Sequence, residues 1–206
     1  MLKLFYGRGA CSRASHIALE ETGQPFEPIR LNLKDNQQRT PEYLAINSKG
    51  RVPALVTDRG ILTETPAILA FIGQTFPDAH LVPEGDAFAF AQMQSFNSYL
   101  CSTVHVAHAH KQRGARWTDD PAAQKSMTAY VPKTVGDCFD LIEREMFKGP
   151  WVLGEQYSVC DPYLFTLALW LEGDGVDPAL FPKVNAHRMR MQERPAVARV
   201  LAREEG

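Results

Sequence analysis

The sequence predicts an α/β N-terminal half followed by an all-helical C-terminal half. Three observations predict it. Up to about residue 78, apolar residues alternate between stretches of period two and stretches of helical spacing. From Ala87 onward only helical spacing recurs, with few strand signals. Between them Pro77 to Asp86 holds two prolines, Gly85 and two aspartates, residues that end helix and strand alike. The expected division is therefore 1–78 and 87–206.

The elements follow in order. Leu2-Lys3-Leu4-Phe5-Tyr6 is a short apolar strand ending at Gly7 and Gly9. From Ser12 to Thr22, Ala14, Ile17 and Ala18 recur at helical spacing, and Gly23 closes the segment as a helix C-terminal glycine does. Ile29, Leu31 and Leu33 alternate with polar residues at the period of a strand. A helical stretch around Tyr43 and Leu44 ends near Gly50. Val52 to Thr57, the turn Asp58-Arg59-Gly60 and Ile61-Leu62 read as a hairpin. Thr65 to Phe76 carries Ile68, Leu69 and Ile72 on one face and stops before Pro77. A βαβ unit followed by a helix, a hairpin and a covering helix matches a thioredoxin-like domain. Beyond the break, helices are expected over 88–111, 122–147, 161–171, 182–193 and 196–202.

Composition excludes several functions. The 206 residues are 45% hydrophobic and 22% charged, with net charge −2. That balance suits a folded chain and provides no overall field to hold nucleic acid or an anionic membrane. The basic residues Lys111, Arg113 and Arg116 read as a solvated helix edge. No run approaches the ~18 apolar residues of a membrane span, and the N-terminus lacks the apolar core and cleavage site of a signal peptide. Cys11, Cys101, Cys138 and Cys160 are scattered, without a Cys-x-x-Cys pair, and are expected to be free thiols in a reducing, cytoplasmic compartment.

Cys11 stands where the first strand hands over to the first helix. A thiol at a helix N-terminus is expected to have its pKa lowered, and Arg13 is expected to add positive charge nearby. Ala14 occupies the place where a dithiol redox enzyme of this fold carries a resolving cysteine, so the site is monothiol. A buried structural cysteine is the plainer reading of the same position. Val52-Pro53, just ahead of an apolar strand, is a candidate cis bond. Its bend would turn the Val52 backbone toward the helix N-terminus, where it could pair with an extended peptide-like ligand. Thr65 is a candidate N-cap with Pro66 in the first turn. A helix N-terminus with Thr65 suits a carboxylate, and Glu64 beside it suits an ammonium, the two charges of an α-amino acid end.

These motifs resemble a known family. Tyr6-x-x-Gly9-Ala10-Cys11-Ser12, Asn47-Ser48-Lys49-Gly50-Arg51-Val52-Pro53-Ala54-Leu55 and Leu62-Thr63-Glu64-Thr65-x-Ala67-Ile68 are similar in order and spacing to the glutathione-binding half of cytosolic glutathione transferases. The Gly-Ala-Cys-Ser turn is most like the bacterial beta class. The resemblance implies that Ala10, Cys11, Lys34, Arg51, Val52, Pro53, Glu64 and Thr65 bind glutathione as co-substrate, with no separate cofactor. It implies Cys11, Ser12 and His105 as the residues at the glutathione sulfur, and a homodimer. Val106 stands where the beta-class pattern has lysine. Ser158 and Asp161 form a capping box ahead of an apolar helix, similar to the one that nucleates the family's helical domain, and Arg194-Pro195-Ala196-Val197 resembles its last helix start.

Tyr99, His108, Trp117 and Trp170 are expected to line an aromatic, apolar pocket for a second substrate, a small hydrophobic electrophile. Cys101, His105 and His108 fall at i, i+4 and i+7, with His110 close by, and would share one face of a straight helix. One straight helix seldom wraps a metal tetrahedrally, so no metal is expected. The expected activity is transfer of the glutathione thiolate to that electrophile. Glutathione-dependent thiol–disulfide exchange at Cys11, as in glutaredoxins, and non-catalytic ligand binding on the same fold are the alternatives.

Overall fold

The computed structural model describes residues 1–205. Its first half is a four-stranded sheet of β1 (Leu2–Gly7), β2 (Phe26–Leu31), β3 (Ala54–Thr57) and β4 (Gly60–Thr63), in the order β2-β1-β3-β4. β1 runs parallel to β2 and antiparallel to β3, and β3 pairs antiparallel with β4. The helices here are α1 (Ser12–Glu21), the short α2 (Pro41–Leu44) and α3 (Thr65–Thr75). This is the thioredoxin-like order of the sequence reading. The strands are shorter than expected: β3 begins at Ala54 rather than Val52, and β2 stops at Leu31, with Leu33 lying against Gly7. A Cβ at Gly7 would stand 2.5 Å from Leu33 Cδ1, so a larger residue there would push the Leu33 side chain aside.

The second half is helical: α4 (Ala87–Tyr99), α5 (His105–Ala109), α6 (Pro121–Leu141), α7 (Cys160–Ala168), α8 (Pro182–Gln192) and α9 (Pro195–Glu205). Both long helices expected from the sequence are interrupted by a π turn, at Leu100–Val104 between α4 and α5 and at Ile142–Met146 after α6. Among the described residues no helix is long and apolar enough to cross a membrane.

Two apolar clusters join the halves. α1 packs against α3 on its own side and against α7 and α9 of the helical half. Ala14, Ile17, Ala18 and Leu19 are therefore all fully buried, since this helix has few solvent-facing positions. Burying Ile17 or Leu19 contributes roughly 1.5–3 kcal/mol each. The Ser158–Asp161 pair forms, although the residue capping α7 is Val159 rather than Ser158, and its bonds reach further than expected. The Asp161 carboxylate accepts the Ser158 N–H at 2.7 Å, and Ser158 Oγ accepts the Cys160 N–H at 3.2 Å. Asp161 also accepts the Val152 N–H at 2.8 Å and meets His187 Nε2 at 3.0 Å, tying α7 to α8 and to the preceding loop.

Candidate active site

The site grows out of the β1–α1 turn. Gly9 takes φ +67°, and both of its backbone groups are gripped by the helical half. Its N–H donates to Glu204 Oε2 at 2.9 Å, and its carbonyl accepts from Trp170 Nε1 at 2.9 Å. Arg13, expected to lend charge to Cys11, instead donates to Glu204 Oε2 at 2.6 and 3.1 Å. Ser12 is fully buried, and its hydroxyl closes the turn on the Gly7 N–H at 3.1 Å. It lies outside the cavity described below, so its expected place at the reacting sulfur gives way to a bracing role.

Cys11 caps α1, as its position suggested, and its Sγ donates to the Val52 carbonyl at 3.5 Å. Its acidity differs from the expectation. Burial pushes the thiol above its ordinary value, and the Thr65 hydroxyl and the Arg113 charge pull it back by less.

The Val52–Pro53 bond is cis. The Arg51 carbonyl accepts Tyr43 Oη at 2.7 Å and Asn47 Nδ2 at 2.6 Å, which fixes the chain entering this bend. The Val52 N–H has no partner among the described residues. The N-cap of α3 is Glu64 rather than Thr65, which becomes the first helical residue and has its side chain buried beside Cys11. Glu64 is held at φ 74°, ψ 123°. Such a conformation costs a non-glycine residue about 1–3 kcal/mol and clusters at ligand sites. Its carboxylate pairs with Lys49 Nζ, which also donates to Thr63 Oγ1 at 2.7 Å.

From the helical half, His105 is the first residue after the π turn. Its ring meets Trp170 edge-on, centroids 5.1 Å apart. Burial first, then the charges of Arg113, His108, Arg116 and Arg51, hold its pKa at about 4, so at neutral pH the imidazole is uncharged. His108 stacks on Trp170 at 4.2 Å, and its Nδ1 lies 2.6 Å from Asp174 Oδ2. His110 packs on Trp117, centroids 4.3 Å apart. His105 and His108 remain neighbours, ring centroids 6.3 Å apart, while His110 turns away to Trp117.

These residues surround a cavity of about 930 Å³ between the halves. Ala10, Cys11, Lys34 and Arg51 line it from the first half, as do Val52, Pro53, Glu64 and Thr65. His105, His108, Trp117 and Trp170 line it from the second. Tyr99 does not: it turns into the helical core, its hydroxyl 3.5 Å from the Cys138 carbonyl. The expected apolar character is also wrong. Arg8, Arg39, Arg113 and Arg116 line the cavity beside Lys34 and Arg51; Arg113 and Arg116 are exposed to solvent as expected, but they also face this cavity. Asp174, buried and paired with both His108 and Lys111, orients the second wall and went unnoticed in the sequence, where nothing marks an isolated aspartate 66 residues from its histidine.

Comparison with known proteins agrees with this architecture. The family model for the glutathione S-transferase N-terminal domain matches residues 1–74, and that for the C-terminal domain matches residues 108–204. The glutathione S-transferase GstA of Escherichia coli O157:H7 is 31% identical over 206 residues, covering 98% of each chain. A glutathione transferase homolog from Sulfitobacter, solved with bound glutathione, is 47% identical and superimposes with a TM-score of 0.95 over 98% of both chains. The bacterial beta class glutathione S-transferase of Sphingomonas chungbukensis is 33% identical, with a TM-score of 0.85 over 98% of both chains. Both halves and the full length thus point the same way: the chain belongs to the glutathione S-transferase family.

Proposed function

We propose that this protein binds glutathione extended across its first half and delivers the thiolate to an electrophile held against the helical half. The observation that carries the reading is the row Glu64–Thr65, Val52 and Cys11 along one cavity wall. Val52, with its free N–H, pairs with the cysteinyl backbone. Glu64 takes the γ-glutamyl ammonium in exchange for Lys49, and Thr65 at the start of α3 takes the adjacent carboxylate. Lys34 meets the glycyl carboxylate.

The glutathione sulfur then lies at Cys11 and His105. A thiol whose pKa is raised is protonated at neutral pH, so Cys11 acts as an S–H donor to the thiolate. His105, held at about 4, is far too weak a base to keep a thiol's proton and acts as a neutral N–H donor. The proton passes to solvent. The sulfur forms the new C–S bond as the leaving group departs with its electron pair. The raised Cys11 thiol also weighs against disulfide exchange as the main activity, because the thiolate is the attacking species there.

Turnover of 1-chloro-2,4-dinitrobenzene and of a glutathione mixed disulfide, in wild type and Cys11→Ala, tests this. Losing one donor to an anion should lower conjugation about ten- to a hundredfold and leave it measurable, while exchange vanishes. Failure of the wild type to bind immobilised glutathione would sink the reading. A cytoplasmic location and a homodimer belong to the same proposal, the latter checked by sedimentation.

A further inference from the structure

Arg8, Lys34, Arg39, Arg51, Arg113 and Arg116 all line the cavity, and none pairs with a carboxylate among the described residues. The one acid on the cavity wall among those residues is Glu64, which Lys49 already pairs with. Elsewhere Arg13, Arg144, Arg188, Arg194, Arg199 and Arg203 each meet an acid, while Arg30, Arg59 and Arg190 meet none among the described residues. What sets the cavity apart is that six such cations, all exposed to solvent, gather around it with a single acid among them.

Glutathione does not use this surplus up. At neutral pH it brings two carboxylates and one ammonium. On the reading above, the ammonium goes to Glu64, one carboxylate to the start of α3, and the other to Lys34, with Arg39 on the same turn. Arg113 and Arg116 belong to the other half, where the acceptor must sit. A stiff turn presents them. The Arg113 N–H bonds the Ala109 carbonyl at 2.9 Å, the Arg116 N–H bonds the Arg113 carbonyl at 2.9 Å, and Gln124 Nε2 ties down the Thr118 carbonyl at 2.8 Å. A Cβ at Gly114 between them would stand 3.2 Å from Gln124 Cγ.

The guanidiniums also crowd one another. After burial, Arg113, Arg51 and Arg39 are what depress the basicity of Arg116, and Arg113, Arg116 and Arg51 all act on His105. Like charges gathered at a cavity without counter-charge favour an anion, and planar guanidiniums suit a carboxylate. Trp117, 47% exposed, follows directly with an aromatic face. We infer that the electrophile carries a carboxylate on an aromatic or apolar body, bound by Arg113 and Arg116 on the helical side of the cavity. This rests on the glutathione reading and narrows its second substrate from a hydrophobic electrophile to an anionic one.

The test uses 4-chloro-3,5-dinitrobenzoate against its methyl ester, in wild type and the R113Q/R116Q variant. In each, the thiolate displaces chloride, forming C–S and breaking C–Cl. Rates are divided by the uncatalysed rate to remove the intrinsic difference in reactivity. The wild type should prefer the carboxylate by about tenfold or more in kcat/KM, the worth of a charge-assisted hydrogen bond. In the variant that ratio should approach one, with the loss in the acceptor's KM. Equal use of both acceptors by the wild type overturns the inference and leaves glutathione binding standing. So does a loss that falls on the KM for glutathione, or a calorimetric stoichiometry of two glutathiones per chain, since either assigns the arginines to the tripeptide. No binding of glutathione at all overturns the parent reading and this one together.

Discussion

Glu204 sits in the last turn of α9, 2% exposed, and its Oε2 receives the Gly9 N–H and both Arg13 donors. The β1–α1 turn that carries Cys11 is therefore held by a residue at the far end of the chain. Glu204→Ala would leave the Arg13 guanidinium, 11% exposed, without its anion and the Gly9 N–H without an acceptor. Breaking a buried pair by removing one partner costs about 3–5 kcal/mol. Arg13 can swing part of the way to solvent, so the low end, about 3 kcal/mol, is the better figure. In a chain of this size 1 kcal/mol moves Tm by about 2–4 °C, so Tm should fall by about 6–12 °C.

Glu204→Gln keeps an acceptor for Gly9 and should recover about 1 kcal/mol of that loss. Urea unfolding of Glu204→Ala, Arg13→Ala and the double variant gives the coupling directly, expected near 2 kcal/mol. Turnover at temperatures well below unfolding should fall as well, because Gly9 is two residues from Cys11. A cost under about 1 kcal/mol for Glu204→Ala would refute the reasoning and place this contact with ordinary surface pairs.

Two further outcomes follow from buried polar groups. His16 is fully buried and receives Arg203 Nη1 on Nε2 at 2.9 Å, and burial, then the Arg203 charge, hold its pKa at about 4. The unfolded chain takes up this proton first, near pH 6.5, so stability is full above that value and falls as pH drops toward 4, by about 3 kcal/mol. Urea midpoints between pH 7 and 4 should show the decline, and His16→Gln should flatten it. Asp161→Ala orphans the buried Val152 and Ser158 N–H groups and the His187 contact, and should cost about 3–5 kcal/mol by equilibrium unfolding. A cost within about 1 kcal/mol would show the α7 knot to be dispensable.

The sheet and its helices were legible because their signals are local: a period of two, glycines at turns, Pro77 after a helix. What failed depended on helical phase. Placing Tyr99 in the cavity assumed a straight α-helix, although Cys101, His105 and His108 do line it together. The π turn at Leu100–Val104 adds a residue and rotates everything that follows it. His105 still reaches the cavity, while Tyr99, before the turn, faces Cys138 instead. Thr65 failed more narrowly. Its residue type suits an N-cap, but the left-handed Glu64 takes that place and leaves Thr65 buried as the first residue of the helix.

Charge was the least legible property, since its effect depends on partners distant in the chain. Lys111, Arg113 and Arg116 look alike in the sequence, yet Lys111 is matched by Asp174 while the two arginines face a cavity with no acid to spare. Arg13, three residues from Ala10, looked like part of the site until Glu204 claimed it. Cys11 occupies the expected turn with the opposite acidity, because the wall that makes a pocket also removes water from the thiol. These corrections have one cause. A side chain's type sets the charge it can carry, and folding decides which charges are cancelled internally and which remain for a ligand. Six cations gather around the cavity that holds His105 with Glu64 as the one acid on its wall among the described residues, so a neutral, wholly apolar acceptor would leave the strongest feature of the cavity unused.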